Sequence, residues 1–280
     1  MRRTLATGLL ALAAVTVAAV PASASRDSIK VIGLTSTQRL VIFEAGSPDS
    51  TFVIGKVTAL KGDGKLVGID YRVQNGKLYG VGDKGGVYVV SPSTAKATKV
   101  SQLTVALTGK NFGVDFNPAA NRLRVISDTG QNLRHNIDDP MGAPAAGTTA
   151  TDGTLTNPPV PPATTGATAT GVTGAAYTNN DLNPATATTL FDLGADQVVI
   201  QSPANAGSLA PTGKLGVTAS GGTGFDIFSS RGSNRGFATL KVSGKYRFYT
   251  VDLLTGRASS LGAFPAKQQV VDIAVPLKQG

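Results

Sequence analysis

The sequence predicts an all-β fold: a β-propeller of five blades, each of four antiparallel strands, with the ring closed by pairing the N- and C-terminal strands. Three observations predict it. The chain matches itself without a gap at a shift of 45 residues, the leading strand of that repeat returns three more times, and the two ends complete each other. Composition agrees. Of the 17 acidic residues only Glu44 is a glutamate, and aspartate favours turns and caps where glutamate favours helices.

The repeat is clearest in GVDFNPAANRLRVISDTGQNLR, residues 113–134, which lies over GIDYRVQNGKLYGVGDKGGVY, residues 68–88. Gly68 falls on Gly113, Asp70 on Asp115, Leu78 on Leu123, Asp83 on Asp128 and Gly85 on Gly130, with Tyr71 facing Phe116 and Lys77 facing Arg122. Apolar and polar residues alternate on both sides of an aspartate–glycine turn, the pattern of two half-buried strands joined by a hairpin. The first strand recurs as TGAAYTNN (173–180), GFDIFSS (224–230) and VVDIAV (270–275). Inner strands are therefore expected near 66–72, 111–117, 172–178, 223–229 and 269–275.

The ends supply the closure. IKVIGLT, RLVIFEAG and STFVIGKVTAL near the N-terminus lack an inner partner, and VVDIAV lacks outer strands. Joined, they make a fifth blade and leave no long open edge. Residues 138–171, rich in Pro, Thr, Ala and Gly, read as a long loop within blade three, with TTATDGTLT (148–156) as its outer strand; a sixth blade is the alternative if that loop conceals strands. A β-sandwich would explain isolated strands but neither the self-match nor the complementary ends. No segment of ten or more residues beyond the N-terminal leader has clean helical periodicity, which argues against an α/β fold.

The leader is residues 1–24. Arg2 and Arg3 precede an apolar run from about Leu5 to Val20, and Ala22-Ser23-Ala24 fits the small-x-small cleavage rule, so secretion with a mature chain from Ser25 is expected. The run is short for a membrane-spanning helix, and the arginine pair alone does not separate the general from the twin-arginine export route. Residues 25–280 then form a single domain, expected to be monomeric, with no span in the mature chain. The net charge of +9 falls to +7 without Arg2 and Arg3, and the basic residues are scattered without aromatic interleaving, which excludes a nucleic-acid footprint.

GVDFNPAANRLRVISDTGQNLR, followed by DGTLT and then GAAYTNN, resembles a bacterial family of exported proteins defined as a domain of unknown function, number 4394. The resemblance covers nearly the whole mature chain. It implies a propeller-like β domain and export; it implies no activity and transfers no catalytic residue.

Absent residue types exclude several chemistries. With no cysteine there is neither disulfide nor thiol chemistry, and with His135 alone there is no histidine metal cluster. His135 is expected to be exposed, and no GxSxG elbow accompanies it. GDKGG (82–86) and SGGTG (220–224) lack a P-loop lysine pattern and a following helix, so both read as turns.

Asp70, Asp115, Asp226 and Asp272 are read as one position in four of five inner strands, with Ala176 breaking the ring. Lining a channel, they are binding candidates, and calcium is the cation such oxygens suit. The competing reading makes them scaffold, accepting backbone hydrogen bonds that fix blade to blade, with no metal and no cofactor. Arg122 and Arg124 share one strand face, a candidate patch for an anionic ligand or, more simply, a solvated face. The function read from this set is an extracellular, non-catalytic propeller that binds a ligand, which an anion, a glycan, a peptide or a surface polymer would each fit, or acts as a scaffold. The alternative is a glycoside hydrolase or lyase using the channel aspartates. The absence of Trp and an aromatic content of 6% argue against a sugar platform.

Overall fold

The computed structural model describes residues 29–230 and 232–279. The predicted leader, residues 1–24, lies outside them. Among the described residues, twenty strands form five four-stranded antiparallel sheets arranged as a five-bladed propeller. Blade one joins β20 (Val270–Ala274) to β1 (Lys30–Thr35), β2 (Arg39–Glu44) and β3 (Phe52–Lys56). Blade two is β4 (Leu66–Arg72), β5 (Lys77–Gly82), β6 (Gly86–Val90) and β7 (Ala97–Gln102). Blade three is β8 (Phe112–Asn117), β9 (Arg122–Ser127), β10 (Asn132–His135) and the short β11 (Thr149–Thr151). Blade four is β12 (Gly174–Tyr177), β13 (Leu190–Leu193), β14 (Gln197–Gln201) and β15 (Leu209–Lys214). Blade five is β16 (Gly224–Ser230), β17 (Ser233–Val242), β18 (Lys245–Val251) and β19 (Ala258–Ala263). The five inner strands fall where the repeat places them. Among the described residues no helix is long and apolar enough to cross a membrane.

The ring closes as the chain ends require. β20 pairs antiparallel with β1 in the register Ile32↔Ala274, Gly33↔Ile273 and Leu34↔Asp272. Gln279 reinforces the join, its side chain accepting from the Lys30 N–H at 2.8 Å and donating to the Lys30 carbonyl at 3.1 Å.

Alternation along each strand sends side chains to both flanking blades, so the core lies between blades. Val31 packs toward blade five with Phe43, Phe237 and Phe248, while Ile32 and Leu34 pack toward blade two with Leu66 and Ile69. The closing interface carries the densest aromatic contact: Phe43 and Phe248 meet edge to face at 5.0 Å, and Phe237 stacks on Phe248 at 5.6 Å.

Glycine sets the width of the channel. A Cβ on Gly113 would lie 2.7 Å from the Ala175 nitrogen, and one on Gly224 would lie 2.5 Å from the Asp272 Cα. Inner strands of neighbouring blades touch there backbone to backbone, an approach that only glycine permits.

Residues 138–171 follow the expected course only in part. The expected outer strand shrinks to β11, and beyond it Leu155 and Ala169 are buried. Thr156 forms isolated bridges to Thr168 and Ser208, which pin the segment across blades three and four.

Candidate functional site

Inner strands all run in one direction through a propeller, so the channel has a face where they begin, the N-face, and one where they end, the C-face. Each inner-strand aspartate reaches across to the next blade. Asp70 accepts the Phe116 N–H at 2.8 Å and its own neighbour's, Tyr71, at 2.6 Å. Asp115 accepts the Tyr177 N–H at 3.2 Å. Asp226 accepts the N–H groups of Ile227 at 2.6 Å and Val275 at 2.5 Å, and Asp272 accepts that of Ile69 at 2.7 Å. The carboxylates link blade two to three, three to four, five to one and one to two. Ala176 leaves the link from blade four to five to other groups: the Thr173 and Thr223 hydroxyls meet at 3.0 Å, and the Asn179 N–H donates to Ser229 Oγ at 2.7 Å.

These bonds also correct the alignment of Asp272. Asp70 accepts from the residue after Asp115, and Asp115 from the residue after Ala176. By the same rule, the bond from Val275 to Asp226 places Ala274 at the aspartate level, and the bond from Ile69 to Asp272 places Asp272 level with Gly68. Asp272 therefore sits two residues earlier, where the other strands carry Gly68, Gly113, Gly174 and Gly224. Strand alternation tolerates a shift of two, because both positions point into the channel.

Three of the four predicted channel aspartates thus meet at the C-face end of the channel. Asp70, Asp115 and Asp226 are buried, with an oxygen from each lying within 4.8 Å of the others. Burial raises all three above the usual carboxylate range, Asp226 to about 6. Their mutual charge adds to the rise for Asp70 and Asp115, and the accepted N–H bonds only partly offset it. Asp272, at the other level, is raised by burial as well. The trio lines a cavity of about 20 Å³, space for a water or a bare ion. Calcium takes six to eight oxygens, whereas three carboxylates meet here, and Asp70 and Asp226 each already accept two N–H groups.

Above this cavity the C-face opens into a larger cleft of about 370 Å³ between blades four and five. Thr178, Asn180, Asp181, Ser229, Ser230 and Asn234 are among its lining residues, and Asn179, Asn180 and Leu277 border both spaces. Asn179 holds a left-handed φ of 85°, which asparagine tolerates, and its Oδ1 accepts the Asp181 N–H at 2.8 Å to shape the loop. Sequence reasoning missed this cleft because its walls come from segments some fifty residues apart. The GAAYTNN and GFDIFSS motifs were its visible traces.

Arg122 and Arg124 do share a strand face, but it is not solvated. Arg122 is 4% exposed and pairs with Asp139 at 3.0 Å while donating to the carbonyls of Ala120, Asn121 and Ala143. Arg124 is 2% exposed; it pairs with Asp152 at 2.6 Å and donates to Asn132, Asn205 and the Tyr177 hydroxyl. Blade four covers Arg124, the loop around Asp139 and Ala143 covers Arg122, and residues 138–171 supply the counter-ions of both. Their donors are directed into the chain, away from any external anion.

Two further acids lie in this interblade layer. Asp152, from the DGTLT motif, joins Arg124 to Arg134, whose Nε lies 3.1 Å away. Asp192 is fully buried, and neither of its oxygens has a hydrogen-bond partner among the described residues; burial raises it well above the usual range despite the Arg124 charge. His135 is likewise buried, contrary to expectation. Its Nε2 meets Ser101 Oγ of blade two at 2.8 Å, its Nδ1 meets Thr149 Oγ1 at 3.0 Å, and burial lowers it to about 4.

A Lactobacillus plantarum protein of known structure is similar over 86% of this chain and 69% of its own, at 19% identity and a TM-score of 0.37. A structural-genomics protein of unknown function from Bacteroides thetaiotaomicron is similar over 91% of this chain and 66% of its own, at 11% identity and a TM-score of 0.47. No curated protein matches. Residues 39–274 match the family described as Domain of unknown function (DUF4394), and the chain belongs to that family.

Proposed function

We propose that this chain is an exported, non-catalytic binding propeller whose ligand is a hydroxyl-rich molecule, such as a glycan segment, held in the C-face cleft. One observation carries the reading: a cleft of about 370 Å³ whose walls are mainly hydroxyl and amide side chains. Such groups offer donors and acceptors without fixed charge, the chemistry that a polyhydroxylated ligand satisfies. Export rests on the leader read from residues 1–24.

The hydrolase alternative is less well supported. The spacing of the three carboxylates would suit a retaining pair, but a cavity of about 20 Å³ leaves no place for a sugar ring between them. The reading also needs no cofactor. Thermal melts in calcium and in chelator are expected to coincide; a calcium gain lost in Asp70→Asn would instead make the trio a metal site.

A glycan array with the mature chain and with Ser233→Tyr, which fills the cleft, tests the proposal. Binding by the wild type that the variant loses, at an unchanged melting temperature, is expected. Equal binding by both would place the ligand elsewhere.

A further inference from the structure

The opposite mouth of the channel has a different chemistry. At the N-face lies a separate cavity of about 230 Å³, lined by Lys65, Lys110, Asn111, Gln38 and Tyr246 above Asp272. Its volume falls below the roughly 300–1,000 Å³ of drug-sized sites, so it suits a molecule of about monosaccharide size.

The two lysines are one residue of the repeat. Lys65 and Lys110 stand 45 positions apart, the spacing that superposes blades two and three. Each follows a loop pinned by the repeat's turn aspartate. Asp83 accepts the Gly64 N–H at 2.8 Å, and Asp128 accepts those of Lys110 at 3.0 Å and Asn111 at 3.2 Å. Those aspartates therefore hold peptide groups and leave the ammonium groups alone. Among the described residues neither lysine has an ion pair.

The rest of the mouth is built to stay open. Three residues before the glycine level, where blades two and three carry these lysines, blades four and five carry Gly171 and Gly221. Both glycines have left-handed φ values, 75° and 76°, with no atom within 4 Å of a would-be Cβ. Gln38 is fixed across the mouth, donating to the Leu66 carbonyl at 3.1 Å and accepting its N–H at 2.7 Å. The floor is less negative than its residue type suggests, because burial pushes Asp272 up and the Ile69 N–H engages one of its oxygens.

We infer that the N-face mouth is a second binding site, for a small molecule bearing a carboxylate or phosphate, captured between Lys65 and Lys110. Two unpaired ammonium groups at one concave opening concentrate positive potential there, and the low-dielectric walls focus it. Lysine serves as a point charge toward either anion, so carboxylate and phosphate fit alike.

Calorimetric titration of the mature chain with glucose 6-phosphate, glucuronate and glucose tests this. At least one charged sugar is expected to bind at one per chain through Lys65 and Lys110, and glucose to show no binding that depends on them. Displacement of bound glucose 6-phosphate by inorganic phosphate would assign recognition to phosphate; glucuronate binding alone would assign it to carboxylate. Lys65→Gln with Lys110→Gln is expected to weaken binding about tenfold or more, while Lys77→Gln with Lys96→Gln leaves it unchanged. All four lysines are exposed, so circular dichroism should show equal folding. No heat from either charged sugar, or equal affinity in the Lys65/Lys110 variant, would overturn the inference. So would glucose binding that matches its charged counterparts and is lost in the Lys65/Lys110 variant.

Discussion

At the C-face, Asp70, Asp115 and Asp226 meet within 4.8 Å and, among the described residues, none of them has an ion pair, whereas between blades three and four Asp152 lies with Arg124 and Arg134 on either side. The first cluster is buried, and the second is partly so, with the Arg134 side chain 22% exposed. The first consists of like charges and is satisfied by backbone N–H groups; the second is neutralised by guanidinium groups. The difference follows from where the residues come from. The trio belongs to the repeat, so one residue type recurs wherever inner strands converge, and its members inevitably face each other. The counter-ions of Arg122 and Arg124 come from the loop after β10, which the repeat does not contain.

The largest break in this comparison is expected at the neutralised cluster. Arg124→Met removes the cation beside two buried acids, Asp152 and Asp192, and should cost about 3–5 kcal/mol, read from urea unfolding. A loss under about 1 kcal/mol would mean that the network contributes little. Gly113→Ala comes next, since a Cβ 2.7 Å from the Ala175 nitrogen forces two inner strands apart; a cost of about 1–3 kcal/mol is expected in the same assay.

Smaller and more informative effects are expected within the trio. Asp70 accepts two N–H groups and Asp115 one. Asn at position 70 turns an NH₂ toward a donor and should cost about 1–3 kcal/mol. Asn at position 115 keeps its single acceptor bond and removes one of three like charges, so at pH 8 it should be neutral or stabilising by about 1 kcal/mol. Equal losses from both substitutions would show that hydrogen-bond number does not govern this cluster.

Much of the fold was legible in the sequence, and the reason is geometric. Period-two alternation and Asp–Gly turns fix strands, a 45-residue repeat fixes blades, and unmatched ends such as IKVIGLT and VVDIAV fix closure. The limits are equally specific. Alternation assigns Arg124 a face without saying what covers it, and it cannot tell Asp272 from Ala274, since both point into the channel. His135 was misplaced because the strand that buries it, β7, belongs to another blade. The C-face cleft was hidden because residues 178–181, 186–187, 229–230, 232–234 and 277 meet only in three dimensions.

The pH dependence of stability carries the sign of the argument. Asp226 rises from 3.8 to about 6 on folding, so the folded state binds the extra proton. Its contribution is present below about pH 4 and is lost as pH rises through 6, about 3 kcal/mol in all. His135 works in the other direction: lowered from 6.5 to about 4, its contribution is present above 6.5 and is lost as pH falls toward 4. The two roughly cancel between pH 4 and 6, which leaves Asp70, Asp115, Asp192 and Asp272, all raised, to set the slope at higher pH.

Unfolding free energy measured from pH 4 to 9 in the wild type and in Asp115→Asn therefore tests most directly whether the C-face trio is a self-repelling cluster kept for its backbone links. The wild type is predicted to lose stability as pH rises above about 6, and the variant to fall less steeply and match or exceed it by pH 8. A variant that is less stable at every pH, with the wild-type slope, would contradict the account and make Asp115 a favourably charged clamp.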